Sequence, residues 1–158
     1  MSFRPPPPVL GALALAAQCA LAGRSSPTRA STVAATAVGV GAACLGGGAV
    51  LRFHARGTTL DPVHVGASAL VVNGPNMYTR NPMYLALAGA LTSLAVWRRS
   101  PVALVPVAAF LLAVDRLQVP LEEAVLRERF GDEYARYTAS TPRWVGACSA
   151  SRSADAGT

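Results

Sequence analysis

Apolar positions in this chain come in long, nearly charge-free runs, and polar residues are gathered between them. The clearest run, residues 31–53, has no charge before Arg52. At 1.5 Å per helical residue it is long enough to cross about 30 Å of hydrocarbon. Its glycines, among them Gly39, Gly41 and Gly46 to Gly48, predict a smooth helix face for close packing. An earlier run, 9–23, follows Arg4 and four prolines. It reads as a retained first helix. The small residues at 20–23 also fit a signal-peptide cleavage site, but the segment that follows is apolar rather than a soluble domain.

Two shorter apolar helices are predicted further on. Pro82, favoured at a first helical position, opens one that runs to about Trp97, with Asn81 as its cap. After the Arg98–Pro101 turn, residues 101–119 form the next, and the pair reads as a tilted or shallow hairpin. Between the second and third helices, residues 52–80 hold Gly57, Pro62, Gly66, Gly74 and Pro75. This connection is predicted to be mostly loop, with one short extended piece at 69–72. Beyond Pro120 the pattern turns amphipathic. Leu126, Phe130, Tyr134 and Tyr137 recur at helical spacing as one apolar stripe. Glu123 with Arg127, and Asp132 with Arg136, are expected as i,i+4 pairs on the solvated side.

Composition supports a membrane setting. Of 158 residues, 52% are hydrophobic and 14% charged, and the mean hydropathy is +0.36; soluble domains carry roughly 25% charge. The expected fold is therefore all-α: a multi-pass transmembrane protein of about four spans with a cytoplasmic C-terminal amphipathic helix. It divides into N-terminal membrane helices (1–53), a region of loop, helical hairpin and C-terminal helix that holds the candidate catalytic residues (54–144), and a disordered tail (145–158). Every basic side chain but the two histidines is arginine, and the net charge is +6. The arginines flank apolar segments, which favours a bilayer over a nucleic-acid partner. Four crossings put Arg4, Arg52, Arg56, Arg80 and Arg116 on one side and Arg24, Arg29, Arg98 and Arg99 on the other. The positive-inside bias makes the first side cytoplasmic, in a bacterial inner membrane. Cys19, Cys44 and Cys148 lack metal or redox spacing, so no metal site is expected.

Two segments carry candidate chemistry. In 73–84 (NGPNMYTRNPMY), Arg80 at a helix start is either a snorkelling anchor or a clamp on a carboxylate or phosphate. In 122–137, Glu122 lacks an opposite charge at i+3 or i+4. The Glu122–Glu123 pair is either a solvated helix start or a holder of a cation or ribose. Asp115, inside an apolar helix, is a functional candidate unless Arg116 simply neutralises it. No phosphate-binding glycine signature follows a predicted strand.

The pieces GP–x–x–Y–x–RNPMY and EE–x–x–L–x–x–x–FG–x–EY–x–x–Y–x–x–x–x–PRW, in that order over residues 53–144, resemble the isoprenylcysteine carboxyl methyltransferase and phospholipid methyltransferase superfamily. The resemblance implies a multi-pass membrane enzyme that uses S-adenosylmethionine at the cytosolic face. It implies cofactor contacts from Gly74, Pro75, Tyr78, Arg80, Asn81, Pro82 and Tyr84 in the first piece. In the second it implies Glu122, Glu123, Tyr134, Tyr137 and Arg143; Arg80, Asp115 and Glu122 are the catalytic candidates. The chain departs from the pattern where Asn76 and Met77 replace a frequent Tyr-Arg pair, and where Asp115 stands in place of a frequent His. The implied acceptor is lipophilic or membrane-associated: an isoprenylcysteine-like carboxylate, a phospholipid amine or a small thiol. A carboxylate would need no general base, whereas an amine or thiol would first lose a proton. An NADPH-dependent membrane reductase and a non-catalytic membrane scaffold are the alternatives.

Overall fold

The structure, a computed structural model, describes residues 5–23, 25–57 and 69–146, and among these it is helical with no strand. Five α-helices follow in order: α1 (Pro7–Leu21), α2 (Arg29–Ala55), α3 (Pro82–Trp97), α4 (Leu104–Ala113) and α5 (Val119–Ser140). Local chemistry sets their ends. Pro7 and Pro82 occupy first turns, where a missing N–H is no loss. Thr28 and Ser31 form a reciprocal capping box at the start of α2. Gly57, at φ +60°, takes the left-handed conformation just past its end.

The first four helices run alternately up and down. Gly46 meets Ala86 and Gly89 meets Ala42, so α2 and α3 are antiparallel. Gln118 donates to the Pro5 carbonyl at one end of the bundle, while Ala22, Ala95 and Ala103 cluster at the other. In the middle Ala14, Leu91, Val107 and Phe110 share a core with Tyr84 and Val114. Gln18 is fully buried in α1, and its amide donates to the Leu91 and Ala103 carbonyls at 2.7 and 3.1 Å. That pair of bonds ties α1 to the end of the α3–α4 hairpin.

Three expectations are corrected here. Asn81 precedes α3 but does not cap it; its side chain donates instead to the Arg143 carbonyl. Residues 69–72 form no strand, and 58–68, the bulk of the predicted loop, lie outside the described residues, as does the tail from 147. The amphipathic helix is not separate from the fourth apolar one. A 3₁₀ turn (Pro101–Ala103), α4, a π-turn (Val114–Gln118) and α5 make one continuous helical path. Proline inside a helix clashes with the carbonyl four residues back. The wide turn just before Pro120 relieves that clash with Arg116, so the helix continues where the sequence suggests a break. The interruption comes later, at Gly131 (φ 46°, ψ −119°), a conformation that glycine adopts without steric cost.

Among the described residues, two helical stretches are long and apolar enough to cross a bilayer, α2 and the path 101–140, whereas α1 and α3, of 15 and 16 residues, are shorter. On α2 only a seam of small residues is covered: Ala35, Ala42 and Ala49 are buried, seven apart. Val33, Val40 and Leu51 are 71, 57 and 70% exposed on the same helix. A helix apolar all round with one covered seam suits a non-aqueous surrounding. The seam itself is tight. A Cβ on Gly89 would stand 2.9 Å from that of Ala42, and one on Gly46 would stand 3.0 Å from that of Ala86. Gly89→Val is therefore expected to lower stability by about 1–3 kcal/mol through overpacking. Gly47, with nothing within 4 Å of an added Cβ, should accept alanine without loss. Thermal unfolding in detergent compares the two.

Candidate functional site

Three polar segments meet at the end of the bundle where α1 begins and α2 ends. The first is the turn before α3. Gly74 has φ +63°, and a Cβ there would stand 3.2 Å from Arg52 Nε, so glycine serves both the backbone and the close approach. Pro75 packs on Gly48, and the Tyr137 hydroxyl donates to the Asn76 carbonyl at 2.7 Å. The second is the π-turn and the start of α5. The third, residues 141–144, follows α5 and is clamped to the first. Arg80 N–H donates to the Pro142 carbonyl at 3.0 Å, and the Thr79 hydroxyl and Asn81 amide donate to the Arg143 carbonyl at 2.9 and 3.1 Å.

An ion cluster joins all three. Glu123, only 7% exposed, receives a two-pronged contact from Arg143, Nε to Oε1 at 3.0 Å and Nη2 to Oε2 at 2.8 Å. Arg80 Nη1 approaches the same carboxylate at 2.9 Å and reaches the Tyr134 hydroxyl at 3.4 Å. Arg143 also reaches Asp115 at 3.3 Å, and Trp144 Nε1 donates to that Asp115 oxygen at 2.8 Å. The order Arg80, Glu123, Arg143, Asp115 alternates in sign, which offsets the desolvation each charge would suffer alone. The hydrogen bonds to Glu123 hold the Arg143 guanidinium above its ordinary pKa. Burial raises the Tyr134 phenol and pushes Tyr137 up to about 12.

The i,i+4 contact of Glu123 with Arg127 is present at 3.9 Å, with Arg127 61% exposed, but Glu123 is corrected from a solvated residue to the buried centre of this cluster. Arg136, expected to pair with the Asp132 carboxylate, donates to its backbone carbonyl. Asp115 does contact Arg116, at 3.3 Å, yet Trp144 holds it more closely. Glu122 points away from Glu123 and accepts from the Tyr84 hydroxyl, whose ring lies in the apolar core. Of the expected site residues, Gly74, Pro75, Asn81, Pro82, Tyr84, Tyr134 and Tyr137 gather around these contacts; Tyr78 is 71% exposed and does not join them. Sequence reasoning passed over Thr79 and Trp144. Trp144 carried a signal, an indole N–H beside a motif arginine; Thr79 carried none.

Next to the cluster lies an open groove of about 540 Å³ between the turn before α3 (Gly74–Met77) and the outer half of α5. Val72, Met77 and Tyr137 supply its apolar surface, and Glu133, Arg136 and Ser140 its polar side.

An "Uncharacterized protein" of Haemophilus influenzae aligns over its whole length with 63 residues of this chain, 40% of it, at 36% identity. The chain belongs to that protein's family. The relative's description names no activity, so the kinship carries none across. No family model matches the chain, and no solved structure does.

Removing the central carboxylate leaves two guanidinium groups short of a counter-charge. Glu123→Gln is expected to lower stability by about 3 kcal/mol, and Asp115→Asn by about 1 kcal/mol, near that of one hydrogen bond. Thermal unfolding and protease sensitivity near residues 141–146 report both. Alkali gives a separate check. Tyr137 has its folded pKa raised to about 12 from an ordinary value of about 10. Its neutral form therefore contributes stability that is complete below pH ~10 and lost as pH rises toward 12. Tyr137→Phe should flatten that part of the stability–pH curve.

Proposed function

We propose that this protein is a membrane-embedded methyltransferase that uses S-adenosylmethionine and methylates a lipophilic or membrane-associated acceptor. One observation carries the reading: the two sequence segments that resemble the methyltransferase superfamily, some forty residues apart, come together through Arg80, Glu123 and Arg143. In this reading the four alternating helices are four crossings, α1 is retained, and the Arg80–Glu123 end faces the cytoplasm of a bacterial inner membrane. The bonds from Gln18 support retention, because loss of α1 would strip the Leu91 and Ala103 carbonyls of a donor.

The residues present fit such a cofactor. Arg80 Nε and Asn76 Oδ1 are buried without a partner among the described residues, so hydrogen-bonding capacity remains on the segments beside the groove. The groove combines an apolar wall with one acid and one base, within the size range of small-molecule sites. When bound, S-adenosylmethionine supplies a methyl group on a sulfonium, open to in-line displacement. The chain's own residues would orient and neutralise. Glu122, held by Tyr84, offers negative charge toward a sulfonium or amine. Glu123, Arg80 and Arg143 keep the two segments in register, and positioning of this kind supplies much of the acceleration in a displacement. Asp115 accepts from Trp144, Arg143 and Arg116, so it serves as a positioning residue rather than a base. Where the acceptor is an amine or thiol, Glu122 is the remaining candidate to take its proton.

A second reading, a non-catalytic scaffold, is favoured by the same cluster, since its half-buried charges neutralise one another. Purified protein in detergent separates the two. The enzyme reading expects saturable S-adenosylmethionine binding and transfer of labelled methyl into a total lipid extract. Arg80→Ala and Glu122→Ala should each cut transfer by at least tenfold, on the order of one charged hydrogen bond. Absence of binding by the wild type, or equal binding in both variants, would overturn the methyltransferase reading.

A further inference from the structure

The groove beside the cluster differs from the cluster in one respect. In the cluster, each half-buried charge already faces an opposite one. In the groove, Glu133 has no ion pair among the described residues, and Arg136 donates from Nε to the Asp132 carbonyl at 3.4 Å. Glu133, Arg136, Tyr137 and Ser140 recur at three- and four-residue spacing, so they share one face of the outer half of α5. That face looks across to Val72 and Met77 on the turn that precedes α3. The groove thus sets an acid and a base one helical turn apart along an apolar wall. Tyr137 closes its floor: the ring is 8% exposed and its hydroxyl is fixed on the Asn76 carbonyl.

We propose that this groove binds the zwitterionic end of a small amphiphile, with Glu133 facing its ammonium, Arg136 its anionic oxygens, and Val72, Met77 and Tyr137 its apolar or aromatic body. A planar guanidinium suits a carboxylate or phosphate, and a carboxylate suits an ammonium. Neither residue alone makes the case; opposite charges left apart on one wall do, because a ligand of either single charge would leave one of them facing its like. Two sources carry this chemistry: the amino-acid end of an S-adenosyl compound, and the headgroup of a phosphatidylethanolamine. The inference rests on the methyltransferase reading for the first source and stands without it for the second. The Gly131 break lies just before this face, so the direction of the outer half of α5, and with it the groove, depends on a residue that can hold φ 46°.

The test uses the full chain in detergent and titrates four probes: S-adenosylhomocysteine, methylthioadenosine (which lacks the amino-acid end), and short-chain phosphatidylethanolamine and phosphatidylglycerol. Wild type is expected to prefer one zwitterion over its matched control by about tenfold or more. Glu133→Gln and Arg136→Gln should each bring that preference close to one while leaving the melting temperature unchanged, since both residues are exposed. Loss of the preference for S-adenosylhomocysteine in these variants assigns the groove to the cofactor. A Glu133-dependent preference for phosphatidylethanolamine, with no S-adenosylhomocysteine binding, keeps the groove and removes the methyltransferase reading. S-adenosylhomocysteine binding that neither substitution alters keeps the methyltransferase and overturns the groove. No preference in the wild type for either zwitterion overturns it as well.

Discussion

The polar end of this protein is organised by one buried carboxylate that two guanidinium groups share. Glu123 on α5 holds Arg143 through two hydrogen bonds and Arg80 through a third contact, so the turn before α3, α5 and the chain after α5 meet at a single point. A carboxylate this buried needs its charge matched, and either arginine without it would face the same difficulty. The bonds from the Arg80 backbone N–H and the Thr79 and Asn81 side chains to the carbonyls of residues 142–143 depend on the same alignment. Any ligand site in this region, whatever it takes, is built on that joint.

The π-turn is what lets Asp115 and Glu123 serve the same arginine. Eight residues apart on a regular helix, they would diverge by about 80°. One extra residue in the wide turn makes them equivalent to positions seven apart, about 20° from a common face. Adjacent Glu122 and Glu123, by contrast, lie about 100° apart on α5. One turns to Tyr84 and the core cluster, the other to the arginines. Two neighbouring acids thereby acquire different partners and different solvation.

The rest of the molecule holds this end in place with little polar material. α2 and α3 approach through glycine and alanine, and Ser93 donates to the Ala35 carbonyl across the same seam. Small side chains permit this closeness, and dispersion and weak polar contacts follow from it. Gln18 does for α1 what the small residues do for α2, but with hydrogen bonds to two backbone carbonyls. The apolar side chains that remain outward on α2 match a hydrocarbon surrounding rather than water.

By itself the sequence determined the helical class, the apolar stretches and most helix starts, because these depend on residues near one another along the chain. Pro82 at the head of α3, the small-residue face of α2 and the stripe Leu126, Phe130, Tyr134 and Tyr137 were all legible for that reason. Local spacing found the contact of Glu123 with Arg127 but set it on the solvated side, because a neighbour four residues away was visible and Arg143 twenty residues away was not. It assigned Asn81 to a cap for the same cause, and it ended a helix at Pro120 because the relieving π-turn involves a change of hydrogen-bond register. Only the tertiary structure decided which charges face each other, that Trp144 holds Asp115, and that Glu133 and Arg136 line a groove without each other as partners. Long-range pairing of charges depends on how helices pack, and apolar faces built of alanine, glycine and leucine carry too little shape in sequence to specify that packing in advance.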